Sequence, residues 1–273
     1  MLNSSCLQIQ LFLFCSAFRK ALIPLMTSAL MFIFSDNLFA QQSAPAISKK
    51  TANLFQSIRS GSANELNKQL ANGADANDSL NGYSALMAAA LNGSVEQMNI
   101  LIEHGANVNY QSSDGTTALW LAVPDWDKTK LLLDKGANAN HKIDGYGILV
   151  KLAAMPGTIK LFHLLIDKGA DLKRSAADNY LVYNAALSGD TAMLGFLIRS
   201  GFKVNDSVSF GDHPINNAEA FRSFATLKML VDNGADVNVI EWVSLGLDAF
   251  KGFTPLMSAA VAHDKTSFLC LLD

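Results

Sequence analysis

Residues 101–109 read LIEHGANVN, and the same phrase returns along the chain. LANGADAN surrounds Gly73, LLDKGANAN surrounds Gly136, LIDKGADLK surrounds Gly169, LIRSGFKVN surrounds Gly201 and LVDNGADVN surrounds Gly234. With Gly105 these make six glycines, spaced by 32, 31, 33, 32 and 33 residues. A fixed period of this length marks a repeat architecture, in which each unit buries its apolar face against the next. Each glycine follows an amphipathic run. In SVEQMNILIEHG the apolar positions Val95, Met98, Leu101 and Ile102 follow a 3.6-residue period, which predicts a helix. The glycine predicts a left-handed residue just past the last turn, a conformation that a side chain obstructs.

Nine residues beyond most of these glycines a second element begins: GYSALMAAALNGS from Gly82, GTTALWLAV from Gly115 and GFTPLMSAAVAHD from Gly252. Thr254 is a predicted N-cap, and Pro255 is tolerated in the first turn, where its missing N–H costs little. Ala88 to Ala90, Ala259 and Ala260 are too small to hold neighbouring helices apart. Small inner faces let paired helices stack side by side.

A turn, a small-residue helix, a tight loop and a longer aliphatic helix, repeated every 31 to 33 residues, resembles the ankyrin repeat. The resemblance lies in its G-x-T-P-L-H-x-A-A and L-L-x-x-G-A-D-x-N patterns and extends over Thr51 to Asp273. It implies an all-α solenoid of about seven helix-turn-helix units with β-turn or hairpin loops. The expected domain covers 49–273, with units near 49–77, 78–109, 110–140, 141–173, 174–205, 206–238 and 239–273. The family histidine is replaced by Met87, Trp120, Val150, Tyr183, Asn216 and Met257. The missing histidine puts the family's usual inter-repeat hydrogen bonding of the turns in doubt, though not the fold. Gln56, Arg59, Asn64, Lys68 and Gln69 make the first unit polar, as an N-terminal cap with one wet face would be. KTSFLCLLD ends the chain inside the last outer helix, before a terminating glycine, and reads as a fragment of a longer array, with an abrupt end on a frayed helix as the alternative.

The first forty residues stand apart. Leu7 to Phe39 is nearly unbroken hydrophobe, and after Arg19 and Lys20 the run Ala21 to Phe34 is 14 residues long. That is short for a membrane span and fits the apolar region of an export signal behind positive charge. Ala40 suits the last position before cleavage, and 41–48 follow as a short polar linker. The competing reading, an uncleaved anchor over Leu7 to Phe34, places Arg19 and Lys20 in the bilayer at a cost of a few kcal/mol each. The apolar stretch before Arg19 is unlike an ordinary signal start, so Met1 lies upstream of the expected initiation site. A periplasmic or secreted chain with no stable membrane span after cleavage is expected.

Composition narrows the function. The whole chain is 50% hydrophobic with a net charge of -3. Cleavage leaves 19 cations and 23 anions, and Cys270 as the one cysteine. The acidic balance argues against a nucleic-acid binder, which normally carries a basic patch. No catalytic, metal or cofactor site is expected. His104, His141, His163, His213 and His263 sit in different repeats without metal-ligand spacing. Gly145 to Gly147 is a lone glycine doublet within a repeat turn. Asp125 and Asp127, flanking Trp126, are the remote candidates for acid–base work, and solvated loop anions are their ordinary reading. Of the sequons at Asn77, Asn92 and Asn205, the first and last also fill the family's turn asparagine.

What remains is recognition. In ankyrin-like proteins the recognition residues lie beside the turn glycine, which here points to Tyr83, Asp114, Thr116, Asp144, Tyr146, Phe210, Asp212, Phe250, Lys251 and Phe253. Exposed aromatics in successive turns would form one binding stripe; packing against the neighbouring turn is the alternative. Unit seven carries about nine extra residues within VIEWVSLGLDAFK, including Trp242, Leu245, Leu247 and Phe250. Such an insertion reads as a finger presenting Trp242 to a partner, or as one folded back over the last units. The leading expectation is a monomeric, non-catalytic module that binds another protein through its concave face and turn tips. The export segment and repeats together resemble periplasmic ankyrin proteins of Gram-negative bacteria. An immunity protein against a periplasm-directed toxin is the second reading, and an enzyme with an unrecognised site a remote third. N-terminal sequencing of exported protein is expected to begin at Gln41; recovery of a chain retaining the apolar segment would refute cleavage.

Overall fold

The computed structural model describes residues 48–175, 180–208, 212–220, 223–240 and 252–272. The export segment, and with it the cleavage site, lies outside the described residues. Helices α1 (Lys49–Arg59) and α2 (Ala63–Ala71) form the first pair. The hairpin β1 (Ser79–Leu80) and β2 (Tyr83–Ser84) leads into α3 (Ala85–Asn92) and α4 (Val95–Glu103). A third pair, α5 (Ala118–Ala122) and α6 (Trp126–Asp134), follows. The hairpin β3 (Lys142–Ile143) and β4 (Tyr146–Gly147) then opens the pair α7 (Ile148–Ala153) and α8 (Ile159–Asp167). A single turn, α9 (Leu172–Ser175), precedes α10 (Tyr180–Ser188) and α11 (Thr191–Arg199). The chain goes on through α12 (Pro214–Ala220) with α13 (Phe224–Asp232), and α14 (Pro255–Val261) with α15 (Lys265–Cys270).

Local chemistry explains each boundary. Ser84, Thr117 and Thr254 accept the amides of Met87, Trp120 and Met257 as N-caps of the inner helices. Ser94 and Gln97 form a reciprocal capping box on α4. At the other end Gly105 stands at φ +87, and the Ala106 amide donates back to Leu101 O at 2.9 Å. The same backward bond recurs at Ala74, Ala137, Ala170, Phe202 and Ala235, closing each outer helix alike. In the hairpins Asn81–Gly82 and Asp144–Gly145 all have positive φ, as a two-residue turn of the right-handed twist demands.

The core is one continuous apolar layer between successive pairs. It joins Leu54 and Leu66 of the first pair to Leu86 and Leu101, Leu119 and Leu132, Leu149 and Leu165, Leu181 and Leu197, then Ile215 and Leu230. Ala85, Ala89, Ala185, Ala186, Ala218 and Ala259 are fully buried, so the small-residue face is the stacking face. The positions of the absent family histidine are filled mostly by bulk. Met87, Trp120, Val150 and Tyr183 are buried beneath the next unit, whereas Met257, on the last described inner helix, is 51% exposed.

Turn-to-turn hydrogen bonding is present despite the missing histidine. Asn77 donates through Nδ2 to Gly105 O at 3.0 Å and accepts the Asn107 amide on Oδ1 at 2.7 Å. Asn109 clasps Gly136 O and the Asn138 amide in the same way, and Asn140 clasps Gly169 O and the Asp171 amide. Asn205 does so with Gly234 O and the Asp236 amide. The fourth position of the series holds Lys173, whose side chain has no carboxamide to offer both a donor and an acceptor. A second ladder runs along the inner helices of units three to six. Lys151 Nζ donates to Trp120 O at 2.6 Å, Asn184 Nδ2 to Val150 O at 3.2 Å and Asn217 Nδ2 to Tyr183 O at 3.2 Å. A third links outer to inner helices: Gln97 donates to Ser57 O and Ile58 O, Lys128 to Ala90 O and Thr226 to Ala186 O. These carbonyls lie in the last turns of their helices, where intrahelical partners run out.

Asn109→Ala removes two inter-unit hydrogen bonds and is expected to destabilise the chain by roughly 1–2 kcal/mol, at about 1 kcal/mol per bond. Lys173→Asn supplies the missing clasp and is expected to move the urea midpoint upward. Equilibrium urea unfolding of both variants checks the two signs.

Candidate partner-binding surface

Lateral contacts run along the turns from unit to unit. The Tyr83 hydroxyl donates to Asp114 Oδ2 of the next turn at 3.3 Å. Asp114 Oδ1 takes the Ser112 hydroxyl and, at 3.1 Å, the Thr116 amide. Burial by itself would raise the Asp114 carboxyl, but the bonds from Ser112, Thr116 and Tyr83 outweigh it and hold the group below its ordinary value. The Tyr83 hydroxyl is shifted upward, by burial first and then by the negative charge of Asp114. Between the third and fourth turns His141 Nε2 donates to Gly115 O at 2.7 Å, while its Nδ1 faces Gln111 Nε2 at 3.4 Å. Further along, Tyr146 meets Tyr180 edge-on with ring centres 5.0 Å apart, and Tyr180 meets Tyr183 at 6.1 Å. The Tyr183 hydroxyl then donates to Asp212 Oδ2 at 3.2 Å.

The expected recognition residues therefore divide. Asp114 and Asp144 are exposed, and Tyr83, Tyr146 and Phe253 are half-buried. Thr116 and Asp212 are only 4% and 7% exposed, so their side chains face the fold and not a partner. Phe210, Trp242, Phe250 and Lys251 lie outside the described residues, and with them the proposed finger. The tyrosines do not form a free stripe: each leans on the turn beside it. His141, Gln111 and Tyr180 were not among the expected residues. Their roles depend on which turns meet across a gap of about one repeat, which no local motif encodes.

Asp212 sits in an unusual environment. Its Oδ1, His213 Nδ1 and both carboxamide atoms of Asn216 are buried with no hydrogen-bond partner among the described residues. Burial pushes the Asp212 carboxyl up, against the pull of the Tyr183 hydroxyl and His213. Elsewhere the candidate chemistry is occupied by structure. Asp125 Oδ1 caps α6 by accepting the Lys128 amide at 3.0 Å, beside Trp126, which is 44% exposed. His104 Nδ1 donates to Ile100 O at 2.9 Å, at the end of its helix. Asn77 and Asn205 use their amides in the clasps. Among the described residues no three histidines, cysteines or carboxylates converge on a metal-sized site, and no helix is long and apolar enough to cross a membrane.

The ankyrin-repeat family model, in three copies, matches residues 54–143. The fold also superposes on the crystal structure of the human ASB11 ankyrin repeat domain with a TM-score of 0.66, covering 80% of this chain and 96% of that one at 21% identity. The fold is that of ankyrin repeats. An ankyrin repeat protein of Acanthamoeba polyphaga mimivirus is 30% identical over 181 residues, 61% of this chain and 23% of the viral one. One from Fowlpox virus is 28% identical over 170 residues, 60% of this chain and 39% of its own length. A transient receptor potential cation channel subfamily A member 1 homolog of Caenorhabditis elegans is 24% identical over 152 residues, 42% of this chain and 13% of the channel. The chain thus spans less than half the length of these relatives. They are viral and eukaryotic, and the resemblance to bacterial periplasmic proteins finds no support among them. Ankyrin repeats generally mediate protein–protein interaction, and proteins built from them are typically non-catalytic scaffolds.

Tyr183→Phe leaves neither Asp212 oxygen bonded, and a buried acceptor without a donor costs roughly 1–3 kcal/mol when ionised groups stay unpaired. The variant is expected to raise the Asp212 carboxyl further above its ordinary value, because the bond that favoured the anion is gone. A raised carboxyl binds its proton more tightly folded than unfolded, so this contribution is lost as pH climbs through the folded value. A carbon-13 titration of Asp212 in both proteins measures the shift.

Proposed function

We propose that this ankyrin-repeat protein is an exported, non-catalytic module that binds another protein along its turn tips and inner helices. The observation that carries the binding reading is the lateral bracing of Tyr83 by Asp114 and of Tyr146 by Tyr180. Half-exposed aromatic rings held by neighbours lose little side-chain entropy on docking, which is what makes such residues effective anchors. Exposed Asp114 and Asp144 beside them favour a partner with basic groups. Export rests on the first forty residues alone, where a cation pair precedes a 14-residue apolar run ending near a small residue.

A second reading is an immunity protein that neutralises a toxin delivered to the same compartment. The same acidic turns favour it, since a basic toxin surface would meet them with complementary charge.

The test is affinity capture by the chain from Gln41 onward, out of periplasmic extract, with a Tyr83→Ala, Asp114→Ala, Tyr146→Ala triple variant of unchanged melting temperature as control. One protein enriched on the native turns and lost on the variant is the expected result. Equal recovery on both, or no enrichment, removes the turn surface as a binding site. Cell fractionation tests export separately.

A further inference from the structure

The seam between the third and fourth units is built differently from its neighbours. At the other junctions adjacent inner helices approach closely along much of their length, with alanines such as Ala89, Ala185 and Ala218 in the contact layer. Between α5 and α7 the close approach is sparser than between any other successive pair of inner helices. The two helices are also short, at five and six residues. Trp120 and Lys151 stand there, and Lys151 occupies the place that Asn184 and Asn217 hold in the next two units. All three residues donate to a carbonyl of the preceding inner helix. Only the lysine can carry a charge.

Lys151 is 9% exposed. Its Nζ bonds to Trp120 O at 2.6 Å and lies 5.0 Å from the centre of the Trp120 ring. An ammonium group brings three donors and a full charge, and no carboxylate forms an ion pair with it among the described residues. The described residues of the surrounding elements supply no compensation. Helix α5 has no ionisable side chain, β4 offers Tyr146, and α10 offers Tyr180 and Tyr183. On α9 stands Lys173, a like charge; on α8 stand Lys160, His163 and Asp167, the last exposed at the helix end. In the hairpin before β4, His141 donates to Gly115 O, with Lys142 and Asp144 beyond it.

We propose that Lys151 makes this seam a proton-controlled opening point of the solenoid, closed while its amine is neutral and loosened when it is charged. The cause is desolvation: in the closed seam the charged amine has one carbonyl and one ring face in place of water. Burial accordingly pushes the amine down from 10.5 to about 7. Opening the seam returns it to water and to its ordinary value. The closed form is then the one that gives up the proton, so closure is favoured as pH rises. Between about 7 and 10.5 the open population falls about tenfold per pH unit, and below about 7 it levels at its highest value.

Hydrogen exchange of the whole chain tests this, with rates corrected for intrinsic exchange and compared at pH 7.5 and pH 9.0, above the range of histidine titration. Residues 118–153 are expected to gain about thirtyfold protection over that interval, one proton being linked to opening, while residues 85–103 gain far less. Lys151→Asn, which installs the neutral amide of the next two units, is expected to abolish the gain. Lys151→Met is a second neutral variant with the same expectation. Equal protection at both pH values in the native chain overturns the proposal, whether or not either variant folds. So does a Lys151→Asn chain that keeps the full gain.

Discussion

Everything in this array hangs on a carbonyl oxygen left over at the end of each outer helix. The helix closes on a left-handed glycine, and the backward bond from the following residue satisfies one late carbonyl but not that of the glycine itself. The glycine carbonyl of the next unit is what the turn asparagine grips, and the same carboxamide receives an amide two residues further on. A carboxamide is the only neutral side-chain group that offers donor and acceptor side by side in this way. One residue per repeat therefore sets the translation between units. The helices then stack at a distance their alanines can tolerate.

Where that grip is lost, other contacts make up for it. Lys173 breaks the series between the fourth and fifth units, and that junction is tied instead by Asn184 on Val150 O, Asp190 on the Gly157 amide, and the edge-on pairs Tyr146–Tyr180 and Phe162–Phe196. The junction before it keeps its asparagine clasp and adds an ion pair between Lys168 and Asp134 at 2.6 Å, but its inner helices meet through Trp120 and Lys151. Stability in a solenoid is close to a sum over neighbouring units. Departures from the repeat are then local, and one seam can respond to pH without disturbing the rest.

How legible the surface was depended on how far each residue's environment reached along the chain. The helix caps and the positive-φ glycines follow from contacts within one unit, and the alanine face from residue order along one helix, so their motifs announced them. Thr116 and Asp212 misled because proximity to a turn glycine says nothing of which way a side chain faces once the next turn packs over it. Tyr83 and Tyr146 were named for exposure, yet each is partly sequestered by a residue about one repeat away. The missing family histidine suggested weakened turns, while asparagines were supplying the bonds, two of them, Asn77 and Asn205, already noticed as sequons.

The period, the helix pairs and the absence of a recognisable catalytic motif were settled by residue order, because a 3.6-residue apolar rhythm and a terminating glycine act over a few residues. The clasp partners, the bracing of the tyrosines and the burial of Lys151 were decided only when units stacked. Each of these needs two groups about thirty residues apart to be brought within hydrogen-bond or van der Waals distance, and that separation becomes contact through the pitch of the solenoid.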